Sequence, residues 1–308
     1  MDNIEIPQKY ISNLNIDGMS GRVLDLPAKN ASKNKLLFVY GHHSSIERWW
    51  GLMLALSHYG SVTMPDLPGF GGMDSFYKIG KKPTIDNMAD YLAEFIKKHY
   101  KNDEITIAGM SFGFAVTTRM LQRHPELRKQ IKIVVSIVGF VNQKDFTLSS
   151  IRKQLYILAT RILSFKVPSI LFRHIALHPV FLNAFYGKTH NAKNKFKEAG
   201  SKQEINAIKA AEVTLWHIND VRTWCYTTVA ILTLKNSKVK LDLPVWHVGV
   251  KEDHFFDNSQ VEKHLSEIYD DVLHIKVDAK MHAPSVIADE EAAAEILPQD
   301  LRDRLSKL

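Results

Sequence analysis

The sequence predicts an α/β fold: a mostly parallel central sheet with flanking helices and an inserted helical segment. Three observations carry this expectation. Apolar, β-rich runs alternate with helical patterns over the first 140 residues, the alternation resumes after residue 243, and the stretch between is long, amphipathic and poor in strands. The boundaries that follow are 1–140 for the first part of the core, 141–243 for the insertion and 244–308 for the second part. The chain has 308 residues, 45% of them hydrophobic and 24% charged. That suits one sizeable core with an insertion and excludes disordered, collagen-like and coiled-coil chains.

Each element has a local reason. Lys9 to Leu26 reads as an antiparallel hairpin turning near Asp17-Gly18. Lys35 to Tyr40 (KLLFVY), Ser61 to Met64, Glu104 to Ala108 (EITIA) and Ile131 to Val138 (IKIVVSIV) are short apolar runs of the kind buried in parallel sheets. Pro83-Thr84 opens a helix on which Ile85, Met88, Ala89, Leu92, Phe95 and Ile96 share one face. A further helix is expected from Phe114 to Arg123. In the insertion, Ile151, Leu155, Leu158 and Ile162 recur at helical spacing with Leu163 beside them, followed by Ile170, Leu171, Ile175, Val180 and Phe181. Pro244 to Val250 (PVWHVGV) and Asp271 to Val277 (DVLHIKV) resume the strands around a helix from Val261 to Tyr269. The tail from about Ser285 reads as helical, broken near Pro298.

Composition narrows the function classes. No apolar run approaches the roughly 18 residues that span a bilayer; the longest, Ile131 to Val141, is interrupted by Lys132, Ser136 and Gly139. The first residues, Met-Asp-Asn-Ile-Glu-Ile-Pro, carry acid where a secretory signal carries base, so a cytoplasmic location is expected. One cysteine, Cys225, makes neither an intrachain disulfide nor a multi-cysteine zinc site, so no metal and no redox cofactor is expected. The net charge of +7 is localised: Phe146 to Lys197 holds nine basic residues and no acid, leaving −2 on the remainder. Nucleic-acid binding is therefore not expected of the whole surface. The segment's apolar residues either pack it onto the core while the basic side chains snorkel into water, or form with them a face for anionic lipid or anionic substrates.

The chemistry concentrates around Gly109-Met110-Ser111-Phe112-Gly113, a G-x-S-x-G pentapeptide between the EITIA strand and a helix. A sharp strand-to-helix turn holds a serine in a strained backbone and exposes its hydroxyl, which requires small neighbours. Serine is a weak nucleophile at neutral pH, so a base must take its proton and a third group must orient that base. Asp253 follows the PVWHVGV strand and His282 follows the DVLHIKV strand, and loops after the carboxyl ends of parallel strands converge on one sheet edge. The order Ser111, Asp253, His282 fits a triad. Either Glu252 or Asp253 can orient an imidazole, Asp145 is a further candidate, and Asp257 is expected to cap the next helix. Among fourteen histidines, His42 and His43 lie in a loop whose backbone is expected to matter more than their rings, while His247 and His274 sit within strands. Trp49, Trp50, Phe70 and Phe76 are expected in the core or lining the cleft, and Lys81-Lys82 and Lys97-Lys98 at the solvated surface.

With Tyr40-Gly41-His42-His43-Ser44-Ser45 and Asp66-Leu67-Pro68-Gly69-Phe70-Gly71-Gly72 added, the chain resembles the α/β-hydrolase superfamily in its capped form, over nearly all of residues 35–140 and 243–290. The resemblance implies that His42 and Phe112 supply the oxyanion-hole N–H groups, that DLPGFG shapes the sheet edge, and that residues 141–243 form a helical cap. Two departures stand out. Tyr40-Gly41 replaces the usual His-Gly, and the commonly acidic third position after the strand-end glycine is Glu252, with Asp253 fourth. The implied activity is hydrolysis of a carboxylic ester, or less readily an amide, on a small, apolar acyl substrate without a cofactor. A serine nucleophile argues against the haloalkane-dehalogenase and epoxide-hydrolase branches. Carbon–carbon bond hydrolysis, acyl transfer and cofactor-free peroxidation use the same constellation, and a ligand receptor with little turnover is the alternative from another class.

Overall fold

The computed structural model describes residues 6–178, 201–236, 239–251, 253–278, 287 and 289–308. It begins with the expected hairpin, Ile11–Ile16 (β1) and Met19–Leu26 (β2), joined through Asp17 at φ 53° and Gly18 at φ 83°. Two successive left-handed residues match the twist of a tight hairpin. Lys35–Val39 (β3), Trp50–Leu56 (α1), Ser61–Pro65 (β4), Ile85–Tyr100 (α2), Ile105–Met110 (β5), Phe112–Arg123 (α3) and Ile131–Ile137 (β6) complete the first block. Four described helices follow: Ser150–Leu163 (α4), Lys166–His174 (α5), Lys202–Ile218 (α6) and Val221–Leu232 (α7). The chain returns through Leu241–Val250 (β7), Asn258–Ile268 (α8), Tyr269–Val277 (β8) and Gln299–Leu305 (α9).

Both blocks make one eight-stranded sheet in the order β1-β2-β4-β3-β5-β6-β7-β8. β1 and β2 pair antiparallel, as do β2 and β4, and every later pairing is parallel. All six residues of β5 are buried, as expected of a central strand covered by helices on both faces. From β3 the chain moves to β4 on one side, and from β5 it moves to β6 on the other. The carboxyl ends of β3 and β5 therefore face a crevice where strand order reverses, the place an open α/β sheet offers a ligand.

Local signals fixed several ends. Thr84 Oγ1 accepts from Asn87 N at 3.1 Å at the start of α2, and Asp257 Oδ1 accepts from the Ser259 and Gln260 amides at the start of α8. Met88, Ala89, Leu92, Phe95 and Ile96 are buried along α2. β5 runs two residues beyond the expected strand, so it ends immediately before Ser111. The tail contains a 3-10 turn at Ala292–Glu295 and then α9, on either side of Pro298. α1 had no clear signal in sequence, because it is only seven residues long and buries residues around much of its circumference.

Tyr40, the departure from His-Gly, is fully buried and belongs to a polar network under the sheet edge. Its hydroxyl donates to Asp66 Oδ1 at 3.0 Å and accepts from Leu67 N at 2.7 Å. Arg22 holds the other Asp66 oxygen and also reaches Glu47. Burial pushes the Asp66 carboxyl up to about 7, with the Arg22 charge pulling the other way. Tyr40→Phe leaves one buried donor and one buried acceptor short of a partner, so its urea midpoint is expected to fall by the equivalent of about 1–3 kcal/mol.

A second buried polar pair lies across β6 and β7. His247 is 4% exposed and its Nδ1 sits 2.9 Å from Ser136 Oγ. Burial, then the neighbouring His274, hold the ring down to about 3, while Asp253 works in the opposite direction. An unfolded histidine titrates near 6.5, so between pH 6.5 and about 3 the unfolded chain binds the proton that the folded chain refuses. This contribution is intact above pH 6.5 and lost progressively below it, by up to about 1.4 kcal/mol per pH unit. Chemical denaturation at a series of pH values should show wild type losing that much relative to His247→Gln as acid is added. Parallel profiles would remove His247 from the account.

Candidate active site

The site begins where β5 becomes α3 with a single residue between them. Ser111 N donates to Ile137 O at 2.9 Å, continuing the β5–β6 ladder, and Ser111 O accepts from Phe114 N and Ala115 N, opening the helix. Serving both elements forces Ser111 to φ 46° and ψ −113°, a conformation that L residues rarely adopt. The flanking glycines are required by space. A Cβ on Gly109 would lie 2.6 Å from Phe114 Cα, and one on Gly113 would lie 2.1 Å from Val39 O. The pentapeptide is thus the condition for α3 to cross β3 and β5 at backbone contact.

Strain gathers along this edge. Of the five described non-glycine residues with positive φ, His43, Ser111 and Val138 follow β3, β5 and β6 respectively. Val138, at φ 43°, is β-branched and buried, held by its amide on Val248 O. Such outliers collect where surrounding structure over-determines the backbone, commonly at functional sites.

Phe112 is the first residue of α3, and the first amides of an α-helix lack an intrahelical acceptor. They also carry the positive end of the helix dipole, which suits a developing anion. The Gly41-His42 loop lies against the same point: a Cβ on Gly41 would stand 3.5 Å from Ser111 Cβ, and the His42 and Phe112 rings are 5.6 Å apart. Ser111, Phe112 and His42 therefore share one ledge.

The rings of His42 and His43, expected to be secondary to their backbone, contact the inserted helices. His42 Nε2 is 2.7 Å from Thr227 Oγ1, a hydroxyl that itself donates to Thr223 O at 2.7 Å. With its proton committed, Thr227 Oγ1 accepts, which assigns the His42 hydrogen to Nε2. Burial, then the neighbouring His43, hold His42 down to about 3, so the ring is neutral near pH 7. The His43 ring lies 4.2 Å from the Trp216 ring, tilted by 47°, and its Nδ1 is 3.2 Å from Asn219 Nδ2. Asn219 Oδ1 accepts from Gly71 N at 2.8 Å, and Gly69 O accepts from Asp220 N at 2.8 Å. A Cβ on Gly69 would meet Thr223 at 2.5 Å, so α7 rests directly on the DLPGFG loop. Sequence reasoning missed Asn219, Thr227 and Trp224; the one available signal was the polar Asn219-Asp220 pair interrupting an amphipathic stretch.

Asp253 lies past the end of β7, two strands along the same edge from Ser111. Two strand spacings make roughly 10 Å, a gap that an imidazole with a hydrogen bond on each side can span. Asp253 Oδ1 accepts from Phe255 N at 2.8 Å and Phe256 N at 3.2 Å, which fixes the carboxylate at the loop. Asp145 is occupied elsewhere. It is fully buried, its Oδ2 accepts from the Val141 and Asn142 amides, and its Oδ1 is 2.5 Å from His264 Nδ1 of α8. Asp145 therefore clamps the turn after β6 to α8. Glu252 and His282 lie outside the described residues. Cys225 is buried, and burial pushes its thiol up to about 12. Among the described residues no group of side chains could hold a metal ion.

Comparison with known proteins bears on the fold. A search of curated proteins finds no match to the sequence. Among solved structures the chain is similar to an esterase from Exiguobacterium antarcticum, with 13% identity, 95% of this chain and 94% of that one covered, and a TM-score of 0.65. It is similar to the enol-lactonase from Burkholderia xenovorans LB400 at 13% identity, covering 96% and 97%, with a TM-score of 0.64. A thermophilic esterase from Thermogutta terrifontis aligns at 15% identity over 96% of this chain and 97% of that one, with a TM-score of 0.60. At such identities these are likenesses of fold. The model of the alpha/beta hydrolase fold family matches residues 34–268, and with most of its length matched the chain belongs to the α/β-hydrolase family.

Proposed function

We propose that this chain is a serine hydrolase of carboxylic esters. Ser111 is the nucleophile, His282 the base and then the acid, and Asp253 the carboxylate that orients His282; the His42 and Phe112 N–H groups bind the oxyanion. The observation that carries this reading is Ser111 held at φ 46° between a buried strand and a helix N-terminus, at the crevice where strand order reverses. Ser111 Oγ attacks the ester carbonyl carbon as its proton passes to His282, and the carbonyl oxygen becomes the bound oxyanion. Collapse expels the alcohol, which takes the proton from His282 and leaves an acyl-serine. Water, deprotonated by His282, attacks that acyl group and releases the carboxylic acid. The helices between β6 and β7 act as a cap over an apolar acyl pocket, and Trp216 and Trp224, packed beside His43, suit its wall.

A fluorophosphonate probe should label the folded protein, and labelling that persists in Ser111→Ala would sink the assignment. A chain-length series of chromogenic esters, run beside Ser111→Ala, defines the acyl preference. A product burst without sustained turnover would mark a receptor instead.

The acid can be tested separately. Asp253→Asn should lower kcat by about 10⁴, as loss of the orienting carboxylate does in serine proteases, with Glu252→Gln close to wild type. Thermal melts of both variants control for folding. A crippled Glu252→Gln beside a near-normal Asp253→Asn exchanges the two roles.

A further inference from the structure

We infer that the outer face of α4 and α5 is a docking surface for membranes rich in anionic phospholipid. The hydrophobic stripe of α4 points away from the protein: Ile151, Leu155, Leu158 and Ile162 are exposed, Ile151 by 75%. The opposite stripe, which meets the body, carries Lys153, Ile157, Thr160 and Ser164. Lys153 bonds to Gln143, Thr160 is buried, and Ser164 O accepts from Arg222. The helix is thus oriented opposite to the ordinary rule for a helix on a globular core. α5 continues the pattern, with Val167 and Leu171 exposed and Phe165 at the elbow 68% exposed. Ten of the thirteen exposed large hydrophobic side chains among the described residues fall between 151 and 175. Exposed hydrophobic side chains scattered singly are ordinary on a soluble monomer, whereas here they concentrate on one pair of helices.

Charge selects the occupant. From Phe146 to His178 there is no aspartate or glutamate, and Arg152, Arg161 and Lys166 are exposed immediately beside Ile151, Ile162 and Phe165. Lys153 and Arg173 are turned inward, onto Gln143 and onto the His217 and Asn219 carbonyls. An apolar face with a basic rim and no acid matches the headgroup and acyl layers of an anionic bilayer surface. A second copy docking through the same face would bring like-charged rims together, because a two-fold interface pairs a patch with itself. Among the described residues no single helix is long and apolar enough to cross a membrane, and α4 and α5 bend by 97° where they meet. By length and composition the bent pair passes as a broken or re-entrant span, but its inner side is bound to the body through Lys153 and Arg173, so it is the outer face that is offered to a bilayer surface.

Cosedimentation tests this with phosphatidylglycerol–phosphatidylcholine vesicles and with phosphatidylcholine alone, each at low and high salt. Wild type should sediment with the anionic vesicles at low salt and be released as salt rises. Arg152→Gln/Arg161→Gln/Lys166→Gln should weaken anionic binding by about a hundredfold, three charges at roughly fivefold each. Leu155→Gln/Leu158→Gln/Phe165→Gln should abolish binding while keeping the wild-type melting profile, since all three side chains are exposed. Absence of wild-type binding to anionic vesicles at low salt overturns the proposal, as does binding that survives the apolar triple. So does a wild-type dimer in light scattering that becomes monomeric in that triple without any vesicle binding. Sedimentation reads attachment and not turnover, so failure here leaves the ester-hydrolase reading standing.

Discussion

The closeness with which α3 crosses β3 and β5 governs the carboxyl edge of the sheet. Gly113 lets the helix backbone reach the Val39 carbonyl and Gly109 lets the strand pass under Phe114; a methyl group at either position would overlap backbone atoms. With no room for a loop, one residue must end the ladder and begin the helix, and Ser111 takes a strained conformation to do both. The strain is sustained by hydrogen bonds on each side and by the buried strands below. Exposure of the serine at a helix N-terminus is then a geometric consequence of packing.

A second layer depends on the first. Because β3 ends beside β5, the loop carrying His42 and His43 is held over Ser111, and its rings become the surface on which the inserted helices settle. Thr227 takes His42, Trp216 takes His43, and Asn219 joins His43 to the DLPGFG loop through Gly71. Below, Tyr40, Asp66 and Arg22 tie the same two loops together from the core side. The ledge is clamped between a partly buried polar network and a polar contact with the helices above. This explains the tyrosine in place of the family's usual histidine: position 40 supplies a buried hydroxyl that bridges Asp66 and Leu67.

Much of this was legible in sequence, and the exceptions share a cause. The parallel strands were readable because burial on both faces leaves nearly unbroken apolar runs such as KLLFVY and IKIVVSIV. The turn at Ser111 was readable because only glycine meets its spacing constraints. Periodicity, however, reports that a helix has two faces and says nothing about which one meets the body. Ile151, Leu155, Leu158 and Ile162 had an inward packing reading that their exposure overturns, and Val180 and Phe181 lie outside the described residues. The rings of His42 and His43 were undervalued because their partners lie about 180 residues away on the inserted helices. The place of Asp145 was legible only in three dimensions, where its carboxylate is spent on two amides and an imidazole inside the fold.

The inserted helices also connect two surfaces of different character through very little protein. On its inner side α7 carries Thr227 and Trp224 against His42. On another side Val221 and Cys225 of the same helix join Leu177 in a small apolar cluster, packed against by Leu163 and Phe172 at the ends of α4 and α5. Packed helix axes stand about 8–10 Å apart, so a single helix layer separates the outward apolar stripe from the ledge beside Ser111. Among the described residues α4 and α5 direct most of their large side chains outward and give this cluster Leu163 and Phe172. The arrangement sets an apolar and basic outer layer over a strained inner one. Any apolar molecule reaching Ser111 past these helices would exchange one hydrophobic surface for another over the thickness of α7.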